Sequence, residues 1–413
     1  MYRPSCLAAI VVLWAATAPA AEPPVPLTVL GTDKYQGYVG GLYADGRNDP
    51  WGPHADALRR MTARVQPLDR DGKPDSKGKI VVAGIGASVC KQIFAEMESQ
   101  VGAMANVNPA VVVVNCAVGG QDTNRIADPA GKYWMQVEKA LAAKGVTNAQ
   151  VQVVWHQSDD LRDARADFPG RPQRLKDQLG EQLRLVKKHF PSAQLCYFSG
   201  RHTTAYMPER DAKAKHGEPR PYHHGWAVKW LIEDQTAGKA DLAFEGAGAV
   251  APLAAWATYF WTAGDAPRPD GYRWTKDNVV TDGVHLSDAG QKRVAGELLT
   301  FFGADSFAKT WFLAAPSAAA PPPKGAAKED PAWVVNGTNK VLKLRRLIAP
   351  HEDVRVIIRD VNGKPVAEVR DILHKQTDLN KLLGPGEFHL EFLDTDGNPI
   401  KLTEEVGSIV RLK

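Results

Sequence analysis

Apolar residues along this chain fall into two textures. Up to residue 200 they come in short unbroken runs: "KIVVAGI" at 79–85, "AVVVVNCAV" at 110–118, "VQVVWHQ" at 151–157 and "AQLCYFSG" at 193–200. Such β-branched runs, without alternation, mark strands covered on both faces of a parallel sheet. Between them the spacing becomes helical. Val89, Ile93, Phe94, Met97 and Val101 form one stripe. "YWMQVEKALAAKG" closes on a glycine and "LKDQLGEQLRLVKKHFP" on a proline, both usual helix stops. "DAGQKRVAGELLTFFG" stands behind Ser287, a capping residue type. The alternation predicts an α/β fold, a three-layer αβα doubly wound parallel sheet, over 79–314.

Past residue 331 the texture is different. "VRVIIRDVNGKPVAEV" and "EFHLEFLDTDGNPIKL" alternate, with "NG" and "DG" between alternating runs. These are hairpin signals, and they predict a small all-β sandwich of about seven strands over 332–413. "APSAAAPPPKGAAKEDP", 315–331, has no apolar period and reads as a linker. Residues 21–78 are rich in Gly, Pro and charge and read as an irregular lead-in.

Composition changes the picture little. With 51 basic against 47 acidic residues in 413, charge gives no case for nucleic acid or a membrane surface. The amino terminus matters more. One Arg, an apolar run from Cys6 to Ala16 and "APA" make residues 1–20 a secretory signal peptide. The expectation is export, periplasmic or extracellular. No later stretch reaches the ~18 apolar residues that span a bilayer. Export leaves Cys90, Cys116 and Cys196. They allow one disulfide, Cys90 with Cys116, or three buried thiols.

Candidate chemistry collects at the strand ends. "GIGASV" lacks the third glycine of a dinucleotide fingerprint, and Cys90 replaces the second glycine of a G-x-S-x-G elbow. Ser88 remains, at the carboxyl end of a strand and the start of a helix. There it is either a cap or a nucleophile beside free N–H groups. In "TDGVHLSDAG", Asp282 and His285 are three apart, close enough in a turn for the carboxylate to fix the imidazole tautomer. They are also an ordinary turn residue and a surface histidine. "NCAVGGQDT" offers the Gly120 N–H to an oxyanion, or is simply a glycine turn. "VVWHQSDD" offers the amide of Gln157, and its His156 and Asp159 read as loop polar groups. The segment 201–225 is long for a connector. His202, His223 and His224 on it either touch substrate or sit on a solvated surface loop. Trp155, Trp226, Trp230, Trp256 and Trp261 read mostly as core, with a weak signal for sugar stacking.

Taken in order, these four blocks resemble the SGNH (GDSL-type) hydrolase superfamily: serine block, glycine block, third block, then D-x-x-H. The resemblance covers roughly 79–304. "WHQSDD" is similar to the W-H-Q-G-E-S-D stretch of the carbohydrate acetylesterase branch. The resemblance implies an SGNH/flavodoxin-like fold with Ser88 as nucleophile, His285 as base and Asp282 as its orienting acid. Gly120, Gln157 and the Ser88 amide become the oxyanion donors. Two departures stand out. Ala87 replaces the family's usual Asp, and Gln157 and Ser158 stand where many members have Gly and Asn. The implied activity is hydrolysis of acyl esters, acetyl esters of a carbohydrate foremost, on a small-molecule or polysaccharide substrate, without metal or organic cofactor. Its rivals are a lipase- or thioesterase-like hydrolase and a catalytically silent glycan-binding module. The tail resembles the Ig-like modules that end some exported bacterial proteins.

Overall fold

The structure, a computed structural model, describes residues 23–104, 106–212 and 217–314. Further on it describes 333–335, 341–344, 355–369, 377–378, 382–383, 386–393 and 409–412. The expected leader, 1–20, and the expected linker, 315–331, lie outside the described residues. The chain divides into two compact units, Met1–Ser317 and Ala318–Lys413.

The first unit is built on a five-stranded, all-parallel sheet. In chain order its elements are α1 (Gly52–Thr62), β1 (Ile80–Gly86), α2 (Ser88–Val101), β2 (Val111–Asn115), α3 (Tyr133–Ala143), β3 (Val151–Gln157), α4 (Gly170–His189), β4 (Leu195–Phe198), α5 (Arg220–Thr236), β5 (Leu253–Trp256) and α6 (Asp288–Ala304). The strands lie in the order β2-β1-β3-β4-β5, with every neighbour parallel. The chain runs outward from β1 to β2, then returns to β3 on the other side. Between β1 and β3 lies the switch point where ligands meet open α/β sheets.

Both faces of the sheet are covered, which explains the unbroken apolar runs. Val81, Ala83 and Ile85 of β1 point into one core with α3, α4 and α5. Ile80 and Val82 point into the other, with α1, α2 and α6. Four of the five residues of the stripe on α2, namely Val89, Ile93, Phe94 and Met97, are buried. Ser287 caps α6 as expected, accepting from the Gly290 N–H. Three elements had no clear sequence signal. β5 is short and alanine-rich, α1 sits inside the lead-in, and α5 begins at Arg220, inside the supposed loop.

Two close approaches shape the switch point. A Cβ on Gly86, whose φ is +155°, would come 2.1 Å from the Gln157 carbonyl oxygen. Gly283, at φ +69°, lets its turn lie against the backbone of Met207, where a Cβ would stand 2.4 Å from the amide nitrogen. Both positions need the missing side chain.

The second unit contains two antiparallel sheets among its described residues, of four and three strands. Strands Arg355–Asp360 and Pro365–Val369 form a hairpin through the "NG" turn. Gly363 takes φ +78° there, and Asp360 Oδ1 accepts the Asn362 and Lys364 amides. Val356 and Ile358 are fully buried. The "DG" at 396–397 lies outside the described residues.

Candidate active site

Ser88 is the first residue of α2, and the N-cap position before it belongs to Ala87. No side chain caps this helix. The Ser88 hydroxyl is turned instead to His285, with Oγ 2.8 Å from Nε2. The other ring nitrogen, Nδ1, lies 2.6 Å from Asp282 Oδ2. A carboxylate can only accept, so Nδ1 carries the proton and Nε2 keeps its lone pair for the Ser88 O–H.

The turn that holds this pair is short and tightly bonded. Asp282 Oδ1 accepts the backbone N–H groups of Val284 at 2.8 Å and His285 at 2.9 Å. Burial works against its charge, but the His285 ring and these amides outweigh it and hold the carboxyl below its ordinary range. Asp282 and His285 stay about half exposed, with side-chain exposures of 45% and 43%. An approaching molecule can reach them.

Two positioning contacts escaped the sequence reading. Gln92, one helical turn beyond Ser88, grips the segment after His285. Its Nε2 donates to the Leu286 carbonyl at 3.0 Å, and its Oε1 accepts the Leu286 N–H at 3.1 Å. From the other side His202 Nε2 lies 2.9 Å from the Val284 carbonyl oxygen, while its ring stacks on Trp274. The i, i+4 spacing of Ser88 and Gln92 was the available clue. For His202 there was none.

Gly120 and Gln157 flank Ser88 on β2's and β3's sides. The turn of Gly120 is tied to the end of β1 by the Val118 N–H, which donates to the Gly86 carbonyl at 3.0 Å. Gly120 is exposed, with φ +72°. Gln157 pairs with Gly86 in the sheet register and is 5% exposed. Neither hydrogen-bonds to Ser88 among the described residues, and the side-chain amide of Gln157 is uncommitted there.

Several of the remaining candidates are elsewhere than expected. Asp159 is not a loop polar group. It is completely buried, with Oδ1 accepting from Arg171 Nη2 at 2.8 Å and Oδ2 from Arg220 Nε at 2.9 Å. Burial opposes its ionisation, but the three arginines around it outweigh burial and hold its carboxyl far below the usual range. His156 is buried in β3 and does not line the surface. Segment 201–225 is likewise no solvated loop at its ends: His202, Thr203, Thr204, His223 and His224 are all buried. Burial lowers the histidines, His202 to about 3 and His223 and His224 to about 4. Trp155, Trp226, Trp256 and Trp261 belong to the core, and Trp230 packs against it. Cys90, Cys116 and Cys196 are free and buried, so the two that follow strand ends do not pair. Among the described residues no group of three or more His, Cys, Asp or Glu is arranged to hold a metal ion. Nor is any helix there long and apolar enough to cross a membrane.

No protein family matches the chain by sequence, and no curated protein does. Among solved structures it is similar to an acetyl xylan esterase, AlAXEase, at 13% identity and a TM-score of 0.31, over 54% of this chain and 98% of that one. It is also similar to a GDSL-like lipase from Bacteroides thetaiotaomicron VPI-5482, at 10% identity and a TM-score of 0.30, over 60% and 95%.

Proposed function

We propose that this chain is an exported serine ester hydrolase of the SGNH type, acting on acyl esters, foremost acetyl esters of a carbohydrate. The observation that carries the reading is the hydrogen-bond chain from Ser88 Oγ through both nitrogens of His285 to Asp282, 2.8 Å and 2.6 Å long. In this reading His285 Nε2 takes the Ser88 proton while Oγ bonds to the ester carbonyl carbon. The carbonyl electron pair moves onto its oxygen. Its return breaks the bond to the alcohol, which leaves with the proton from His285 as the acyl-enzyme forms. Water, activated by the same imidazole, then releases the acid.

Asp282 stays ionised throughout and stabilises the imidazolium. The oxyanion is met by the Ser88 amide at the positive end of α2, by the Gly120 amide and by the Gln157 side chain. The uncommitted amide of Gln157 supports its assignment. The carbohydrate ester rests on the "WHQSDD" stretch, and export on the leader. The two antiparallel sheets and the buried alternation of Val356 and Ile358 support an Ig-like sandwich for the second unit.

The test is direct. The mature chain is incubated with p-nitrophenyl acetate and butyrate, then with acetylated xylan and pectin, and labelled with an organophosphonate. The expected result is turnover, with label on the peptide holding Ser88. Label on another serine, or no turnover of any ester, ends the reading.

A further inference from the structure

The residue after Gly200 carries a charge that the proposed chemistry does not use. Arg201 follows β4, with its side chain 16% exposed. Its nearest carboxylate oxygen, Asp159 Oδ2, stands 3.9 Å away, beyond hydrogen-bond reach. Asp159 is already committed, to Arg171, Arg220 and the Asp160 N–H. The other acid in its field is Glu218, whose Oε1 accepts from Thr203 Oγ1, the Thr204 N–H and Trp261 Nε1. Three guanidinium groups thus face two carboxylates. Arg201 itself makes no hydrogen bond among the described residues.

A guanidinium largely withdrawn from water, with a carboxylate in ion-pair range but no hydrogen-bonded partner, is incompletely compensated. This one sits where an outside anion can relieve it. Its neighbour His202 bonds the carbonyl of Val284, the residue before His285. Beside β4 runs β3, which ends in Gln157. Arg201 therefore stands at the Ser88 end of the sheet, on the β4 side.

We propose that Arg201 anchors a carboxylate of the substrate, so that the ester presented to Ser88 belongs to an acidic sugar, a uronic acid unit. The planar fork of a guanidinium matches a carboxylate with two parallel hydrogen bonds. A neutral sugar leaves the cation with only its long contact to Asp159. This assignment rests on the esterase reading of the same site.

The experiment compares the acetylated methyl glycosides of glucose, glucuronic acid and glucose 6-sulfate, with p-nitrophenyl acetate as the neutral reference. For the wild type, kcat/KM on the glucuronide should exceed that on the glucoside by at least about tenfold at low salt. The preference should lie mainly in KM and shrink as salt screens the pair. Free glucuronate should inhibit p-nitrophenyl acetate turnover, and methyl glucoside should not. Arg201→Gln should bring the glucuronide-to-glucoside ratio near one, and Arg201→Lys should restore part of it. If p-nitrophenyl acetate is hydrolysed but the ratio is near one and glucuronate does not inhibit, the carboxylate site is wrong and the esterase stands. Preference for the sulfate over the glucuronide overturns the ligand class. No turnover of any ester sinks the esterase reading. Titration of Ser88→Ala with glucuronate in a calorimeter then still decides whether the anion binds. Should Arg201→Gln fail to fold, the wild-type ratio and its salt dependence decide between the two outcomes.

Discussion

Asp282 and Asp159 are both aspartates near the carboxyl ends of the strands, and both are held ionised, yet their settings are opposite. Asp282 is half exposed, bonded to one imidazole and two amides three residues away or less. Asp159 is sealed from water among arginines drawn from positions 171, 201 and 220. The first carboxylate is open to a passing molecule. The second ties β3, α4 and α5 together, at the cost of desolvating several charges. Charge at the carboxyl edge of the sheet therefore sits in two settings here, and burial tells them apart.

The contrast can be broken by mutation, and the largest effect falls on chemistry. Ser88→Ala removes the attacking oxygen and should cost at least ~10³-fold in kcat, because such groups act as a unit. Circular dichroism and the melting temperature should barely change, since no side-chain cap is lost. Near-normal turnover would leave Ser88 without a role.

Asp159→Ala should do the reverse and strike the fold. It removes the one carboxylate that the buried Arg171 and Arg220 share, which costs about 3–5 kcal/mol. The expected drop in melting temperature is on the order of 10 °C for a domain of this size. A variant that melts with the wild type would mean that the cage contributes nothing.

Asp282→Asn sharpens the comparison, because it exchanges a carboxylate for a neutral isostere at the open site. The fold should persist, while the wrong imidazole tautomer becomes available and kcat falls by about 10²–10⁴-fold. Loss of stability without loss of rate would assign Asp282 to the turn alone.

Acid separates the two regions again. His156, His202, His223 and His224 are lowered by burial to between about 3 and about 4. The unfolded chain takes up their protons below about pH 6.5, and the folded chain does not until about pH 4. Stability should therefore fall as pH drops through that window. The contribution of Asp159 should persist there, because its folded carboxyl protonates only below the ordinary range. Melting temperatures measured from pH 8 to 4 check this, and a flat profile down to pH 5 would contradict it.

The smallest expected effect is at Gln92. Gln92→Ala frees the Leu286 backbone on one side and should cost about tenfold in kcat, with about 1 kcal/mol of stability. The rate should recover partly in Gln92→Asn if reach alone is limiting.

How much of this was legible follows from chain separation. β1 to β4 announced themselves through unbroken apolar runs, because each is buried on both faces. β5 did not, since "LAAW" has neither length nor β-branching. Asp282 and His285 lie three apart, and local spacing shows them as a pair. The cage of Asp159 joins residues 12 and 61 positions away, a closure no local pattern encodes. The loop at 201–225 misled for the same reason. His202, His223, His224, Arg201 and Arg220 look solvated in isolation, and only tertiary packing withdraws them from water.

Gln92 has a last consequence. Ser88 and Gln92 ride on the same rigid rod, α2, and Gln92 grips the backbone beside His285. Hydroxyl and imidazole therefore share one mechanical frame, and His202 holds the same turn from the β4 side through the Val284 carbonyl. A strain on the His285 turn is therefore transmitted to the helix that carries Ser88, and the 2.8 Å spacing between Oγ and Nε2 is held by both ends of one bonded unit.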